Sequence, residues 1–487
     1  MPTCRTIVRA AAILAAIAPT ALPLPCATAQ EPGTRGAVAP TAVPAQAAPP
    51  KARVALRYGA QRQGRRDDPA MNRWREDRLG AIFHFGLYSL AAGSWGGKEC
   101  DCTAEFIKTG MQVPDADYDA LMSRFDPAKE SPARWVAMAK EMGARYVILT
   151  AKHHDGFCLW PSDETDYDVA STPYREDLVG QFVQAAKDAG LDVLLYYSIL
   201  DWHHPDWRGD LRTDGDRAAF ARYWGYATRQ CEELLRRYPS VMGLWFDGTW
   251  DDSVKSNGQL TLALEQRLRA IKPDVLVGSR LRADDKGARH FDSNGLLMGD
   301  WEQGWERKLP RTPPANDWEC VMTVPENGWG YQANWKGHLK DTHEVLEMAA
   351  RCVAMGGNFV LNFGPMGNGG IRPEEQALAR GIGDWMRANG DAIAGCGLSG
   401  LPKIDWGWWT KKPGSTDLNA IVFNLPLSGA LPVVLPRNQA PESATIVGGD
   451  GAPLRIEATR PGEWLVHLGG RTFTQPFTVR VKVKQAG

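Results

Sequence analysis

The sequence carries almost no net charge, −1 over 487 residues, so nothing in it calls for nucleic acid or an anionic membrane surface as a partner. Phosphate-binding loops are missing as well. Neither GxGxxG nor GxxxxGK(S/T) follows the early strand-like runs, which leaves a nucleotide fold without its anion cradle. Cysteine is sparse: nine in all, and setting aside Cys4 and Cys26 leaves seven, at 100, 102, 158, 231, 320, 352 and 396. An odd, scattered set is no disulfide framework. Cys100 and Cys102 are too close for a clean zinc half-site and no second pair answers them. Buried thiols are expected, with room for one bridge in an exported protein.

No apolar run is long enough to span a bilayer as a helix. Residues 10–18 are apolar, follow a basic start at Arg5 and Arg9, and precede Ala27-Thr28-Ala29, a signal-peptidase-like site. Residues 1–29 are therefore expected to be a signal peptide, and the protein to be exported, periplasmic or secreted. Pro-Leu-Pro-Cys, ending at Cys26, is a poor lipoprotein signal. Residues 30–67 read as a linker or mobile arm, opening with a stretch rich in Ala, Pro, Gly and Val.

What is present is an ordinary globular composition, 44% hydrophobic and 23% charged, on a chain long enough for a large domain and at least one more. Nineteen tryptophans are unusual. Most are expected in the core, but indole faces also stack on the apolar faces of sugars, which places carbohydrate among the candidate ligands. From residue 68, strand-like and helix-like segments alternate. Strands are predicted at 81–86, 146–150, 192–198, 242–246, 275–279, 290–292, 320–324 and 358–363, the sixth on the weakest pattern. Ser131-Pro132 opens a helix that carries Trp135, Met138 and Met142 on one face and stops at Gly143. Asp177 caps another, with Leu178, Phe182, Ala186 and Ala189 inward and Gly190 closing it. Eight parallel strands joined by helices fit an α/β fold, a (β/α)8 TIM-like barrel over 68–400. Beyond residue 400 short alternating runs replace the helical period. Phe477, Val479, Val481 and Val483 share one face, and 401–487 is expected to be a C-terminal antiparallel β-sandwich.

Functional groups on such a barrel gather at the carboxyl ends of its strands. Those ends supply His84, His153, His154, Asp155, Tyr196, Asp201, Asp247, Arg280 and Glu319. Histidines, aromatics, one arginine and a few carboxylates suit a neutral polyhydroxylated ligand better than a phosphate. Asp247 ends the apolar run Leu244-Trp245-Phe246, where an aspartate is costly to bury without a partner or a role; a loop-capping aspartate is the bland alternative. As a nucleophile it must be ionised, and a nearby Arg280 lowers its pKa. A second carboxyl must then act as general acid. Glu319, flanked by Trp318 and Cys320, is the preferred candidate, with Glu306 and then Glu302 as rivals. A metal on His153, His154 and His84 is the weaker reading, because neighbours on an extended strand face opposite sides. No metal or other cofactor is expected.

In this arrangement the chain resembles the retaining α-L-fucosidases of glycoside hydrolase family 29. The similarity lies in TAKHHDGFCLW at 150–160, IFHFGLYSL at 82–90, YYS…DW at 196–202, LWFDG at 244–248, SR at 279–280, WECVMT…WGY at 318–331 and GGNFVLNFGP at 356–365. These blocks fall in the family's order over roughly 70–390. The resemblance implies a fucosylated glycan or oligosaccharide as substrate and Asp247 as nucleophile. It implies His84, His153, His154, Tyr196 and Arg280 as fucose-binding residues. The family's sugar-binding glutamate–tryptophan pair appears here as Glu105-Phe106, which keeps a flat apolar surface and loses an indole N–H. His203-His204 and the segment 284–297 are peculiar to this sequence and point to the leaving-group side. Two other readings compete: a barrel glycosidase for a galactose-like sugar, and a sugar-binding relative without activity.

Overall fold

Runs of β-branched and aromatic residues make the strands of the first domain, and alternation within each run decides which side chains face inward. The computed structural model describes residues 52–485; the expected signal peptide, and the arm up to residue 51, lie outside the described residues. Strands β1 (Leu79–Phe83), β2 (Tyr146–Lys152), β3 (Asp192–Ser198), β4 (Gly243–Asp247), β5 (Leu276–Val277), β6 (Glu302–Glu306), β7 (Trp318–Thr323) and β8 (Asn358–Phe363) form one eight-stranded parallel sheet. Because β1 pairs with both β2 and β8, the sheet curls round from β5 to β6. Its two edges meet through backbone hydrogen bonds, Asp300 N to Val277 O at 2.8 Å and Ser279 N to Trp301 O at 3.1 Å.

Inside the curl Ile82, Ile148, Leu194, Trp245, Val321 and Val360 pack on one another, joined by Met71 and Trp74 of helix α1 (Pro69–Asp77). The alternate residues, among them Phe83, Leu149, Leu195 and Phe246, face the surrounding helices. Helix α2 (Ser131–Met142) carries Pro132 in its first turn and ends at Gly143, whose φ of 93° no β-carbon would tolerate cheaply. Helix α3 (Leu178–Ala189) is capped by Asp177, which accepts from Gly180 N at 2.8 Å. It buries Phe182 completely, a change that contributes about 1.5–3 kcal/mol. No helix among the described residues is long and apolar enough to cross a membrane.

The sixth barrel strand is Glu302–Glu306, not 290–292. Its sequence, EQGWE, lacks apolar alternation, and its pairing with β7 is broken between Glu302 and Trp305. Residues 290–292 instead lie in a loop, with an isolated bridge from Phe291 to Leu297. A second difference concerns the arm. Residues 54–66, expected to be linker, are bound to the barrel. Arg66 Nη1 donates to Val275 O at 2.8 Å and to Asp300 at 2.9 Å. Arg57 N donates to Asp285 at 2.9 Å and Ala60 N to Asp292 at 3.0 Å. Their hold comes from acids more than 200 positions away, which local composition does not reveal.

After the barrel come β9 (Gly397–Leu398), β10 (Gly407–Lys411), β11 (Leu418–Val422), β12 (Ala430–Val434), β13 (Gln439–Ile446), β14 (Arg455–Arg460), β15 (Glu463–His467) and β16 (Phe477–Gln485). They form antiparallel sheets of five and three strands. Phe477, Val479, Val481 and Val483 pack together with Trp406, Trp409 and Val466 in a core of their own. Cys100 and Cys102 are bridged, and Cys158, Cys231, Cys320, Cys352 and Cys396 are buried thiols.

Candidate active site

A side chain reaches a barrel's working rim when it is the last inward residue of a strand or belongs to the loop that follows. On β4, Trp245 and Asp247 share the inward phase, and Asp247 is the strand's last residue. His84 follows β1 in phase with Ile82, and Arg280 follows β5. Together with Glu105, Phe106, His153, His154, Tyr196 and Glu306 they line one cavity of about 360 Å³. Both members of the histidine pair reach it, with rings 4.2 Å apart, because they lie beyond the end of β2. The chain turns there, with Gly156 at φ 83°. Opposite facing is a rule for strands, and these residues have already left theirs.

Arg280 organises the charges. Its Nη1 donates to Asp247 Oδ1 at 2.8 Å and its Nη2 to Glu306 Oε1. One guanidinium thus spans two carboxylates. Tyr196 donates its hydroxyl to Asp247 Oδ2 at 2.9 Å. Burial alone would raise the Asp247 carboxyl, but Arg280, the Gly248 N–H and the Tyr196 hydroxyl outweigh it and hold it below its ordinary value. Asp247 is therefore an anion at neutral pH. Its side chain is 12% exposed against 32% for Glu306, so the second carboxyl is the one open to solvent.

The histidines are neutral. Burial depresses His84 to about 3 and His154 to about 4, and His153 also lies well below its ordinary value. Asn362 gives its amide N–H to Trp329 O at 2.7 Å, so its oxygen accepts from His84 Nδ1 at 2.6 Å. Ser198 donates to Leu200 O at 2.5 Å, so it accepts from His154 Nδ1 at 2.6 Å. In both rings Nε2 is left as an acceptor. His153 Nδ1 is buried without a partner, and so is Glu105 Oε1. Unmade hydrogen bonds of this kind are costly unless a ligand completes them. The other Glu105 oxygen accepts from Trp329 N at 3.1 Å and Gly330 N at 2.9 Å. Phe106 turns its ring edge-on to His154 and Trp202, at 5.4 and 5.0 Å.

Glu319, the preferred acid from sequence, is not in this group. It is the second residue of β7 and pairs with Asn358, the first of β8, so it lies at the opposite end of the barrel from the rim. Trp245 lines the cavity and gives its indole N–H to Glu319, which itself does not reach the cavity. Burial raises the Glu319 carboxyl. The apolar setting inferred from its flanks is real, but it belongs to the barrel floor. Glu302, at the start of β6, does not line the cavity either. Asp155 accepts from Tyr118 at 2.8 Å, and Asp201 pairs with buried Lys152 at 3.0 Å. His203 stacks on Tyr167 at 3.6 Å, and neither it nor His204 lines the cavity. Residues not singled out beforehand also contribute: Trp250, Arg289, His290, Gln303, Arg307 and Trp329. Two signals pointed to three of them: the odd segment 284–297 to Arg289 and His290, and the WGY block to Trp329.

Comparison with known proteins gives the family. The model of the family described as Alpha-L-fucosidase matches residues 46–391. A crystal structure of a family 29 α-L-fucosidase from Bacteroides thetaiotaomicron is 44% identical, covers 89% of this chain and 99% of its own, and superposes with a TM-score of 0.87. A second structure of a family 29 α-L-fucosidase from that organism, a covalent intermediate trapped with 2-fluoro-fucosyl fluoride, has 44% identity and a TM-score of 0.86, over 89% of this chain and 100% of that one. An α-L-fucosidase of Branchiostoma floridae is 28% identical over 398 residues, 78% of this chain and 84% of its own length. With its family model matched over most of its length, this chain belongs to the α-L-fucosidases, glycoside hydrolase family 29.

Proposed function

We propose that in this retaining α-L-fucosidase Asp247 is the nucleophile and Glu306 the acid/base. The observation that carries the assignment is Arg280, which holds both carboxylates on one cation at the wall of the cavity. Retaining hydrolysis needs its two carboxyls about 5–5.5 Å apart, close enough for direct attack with no water between nucleophile and sugar. A shared guanidinium imposes a spacing on that scale. Asp247, buried and anionic, attacks the anomeric carbon while Glu306 gives its proton to the departing glycosidic oxygen. Glu306, now a carboxylate, takes a proton from water, and the hydroxide oxygen displaces Asp247 from the sugar. The solvent exposure of Glu306 suits a group that must reload its proton each cycle.

The neutral histidines can accept from sugar hydroxyls without adding a competing cation beside the nucleophile. His153 Nδ1 and Glu105 Oε1 have hydrogen bonds still to make. Phe106, Trp245 and Trp329 supply apolar surface for the methyl group that distinguishes fucose from galactose. Proton NMR of a fresh digest tests the mechanism: the α anomer of fucose should appear first. First release of the β anomer would sink it. The substrate is a fucosylated glycan or oligosaccharide. We also place the enzyme outside the reducing cytoplasm, a reading supported by the pattern of residues 1–29 and by the Cys100–Cys102 bridge. Thiol labelling of Cys100 and Cys102 in protein taken directly from cells, without prior reduction, would count against it.

A further inference from the structure

The loop after β5 is built with unusual care for a surface connection. Asp284 accepts from the N–H groups of Lys286 and Ala288, both at 2.8 Å, and of Ser293 at 2.7 Å. Asn294 exchanges hydrogen bonds with the backbone of Val54 at 2.8 and 3.0 Å. Arg282 ties the same region to Tyr58 O at 2.7 Å. The loop spends these bonds on presenting Arg289 and His290 to the cavity. His290 sits at φ 62°, a conformation non-glycine residues rarely adopt, and Ser279 Oγ holds its Nδ1 at 2.9 Å.

Arg289 differs from Arg280 in what it touches. Its hydrogen bonds go to the Thr249 hydroxyl, at 2.7 and 3.2 Å. Arg307, next to Glu306 on the rim, gives its hydrogen bond to the Asn327 side-chain oxygen and lies 5.9 Å from the Trp329 ring centre. Among the described residues neither arginine forms an ion pair with a carboxylate, whereas Arg280 serves two. Burial and the nearby Arg280 lower Arg289 to about 10 against the opposing pull of Asp247 and Asp251, neither of which it touches, so it keeps its charge at neutral pH. In a pocket that takes a terminal sugar at its closed end, groups at the mouth meet whatever is bonded to the anomeric carbon. Glu306 must face the bond being cut, and Arg307 stands beside it.

We propose that the leaving-group side of this cavity recognises an anionic aglycone, a sugar carrying a carboxylate or a sulfate ester, through Arg289 and Arg307. The inference rests on the fucosidase reading above. Arginine forks match such oxyanions in geometry, and two guanidinium groups with no carboxylate in ion-pair contact leave N–H donors for a ligand. A neutral aglycone leaves that charge unused.

The test compares phenyl α-L-fucosides substituted at the 3-position with carboxamide, carboxylate or sulfonate, measured as kcat/KM at low ionic strength. The carboxamide is a neutral match in size, and the other two distinguish carboxylate from sulfate-like groups. The expected result is about tenfold preference for at least one anion, the ratio one charge-assisted hydrogen bond supplies, shrinking as NaCl is raised. Arg289→Gln and Arg307→Gln should each reduce the anion-to-amide ratio, and Arg289→Lys should retain part of it. A ratio near one in the unaltered enzyme overturns the proposal without any variant. A high ratio that survives both glutamine substitutions overturns the assignment to these arginines. If none of the three fucosides is cleaved, the fucosidase reading fails and this one falls with it.

Discussion

The two ends of the barrel treat buried carboxyls in opposite ways. At the rim, Asp247 is buried beside Arg280 and stays below its ordinary pKa. At the floor, Glu319 meets the Trp245 indole and lies 3.5 Å from the Tyr146 hydroxyl, and its pKa rises. Asp77, the last residue of α1, is buried near Asp192, the first of β3, and burial followed by that neighbour pushes it up to about 8. Burial is common to all three. What differs is whether a cation touches the carboxylate, and that decides whether its pKa falls below its ordinary value or rises above it.

Breaking the rim should have the largest effect. Asp247→Gly removes the carboxylate proposed to attack and should lower kcat/KM on the order of 10⁴-fold. Azide should restore part of the turnover as a glycosyl azide, seen by mass spectrometry. Glu306→Gln should cost about 10²–10³-fold on a sugar leaving group and much less on nitrophenyl fucoside, whose leaving group needs little protonation. Equal losses on both substrates would count against Glu306 as the acid. At the floor the same change should be nearly silent: Glu319→Gln keeps an acceptor for the Trp245 indole and should alter kcat/KM less than about threefold, a surface-like effect despite full burial. A loss there as large as that of Glu306→Gln would reverse the assignment of the two glutamates.

The smallest effect concerns stability and pH. Asp77 has a folded-state value of about 8 against an ordinary 3.8. A raised folded pKa means that the native state binds more protons than the unfolded state between those values, so the stability due to this group is lost as pH rises through about 8. Asp77→Asn retains a hydrogen-bond donor toward Asp192 and has no proton to lose. Its melting temperature should equal that of the parent at pH 4 and exceed it by a few degrees at pH 9, where 1 kcal/mol corresponds to about 2–4 °C in a large domain. A lower melting temperature for the variant at pH 9 would show that the ionised form of Asp77 is tolerated.

Much of this was readable from residue order. Seven of the eight barrel strands announce themselves as apolar runs, and the groups that follow β1, β2 and β5 fall where barrel geometry puts them. Asp247 was legible because it closes its run. Glu319 misled because it opens one: its indole and thiol neighbours spoke correctly of burial, but depth in a barrel depends on direction along the strand. Glu306 was harder to place because β6 is polar and interrupted, held by its neighbours more than by its own pattern. The hold of residues 54–66 on the loop at 284–297 was invisible for another reason. It depends on side-chain carboxylates meeting backbone N–H groups more than 200 positions away.

That hold has a practical consequence for anyone shortening the gene. A start codon placed at residue 68, where the barrel pattern first shows in the sequence, would delete the partners of Asp285, Asp292 and Asn294 together with Arg66. The remaining protein would keep Asp247 and lose the brace behind Arg289. Libraries aimed at this loop should therefore begin no later than Arg53, and should count the N-terminal arm among the supports of the segment that carries Arg289.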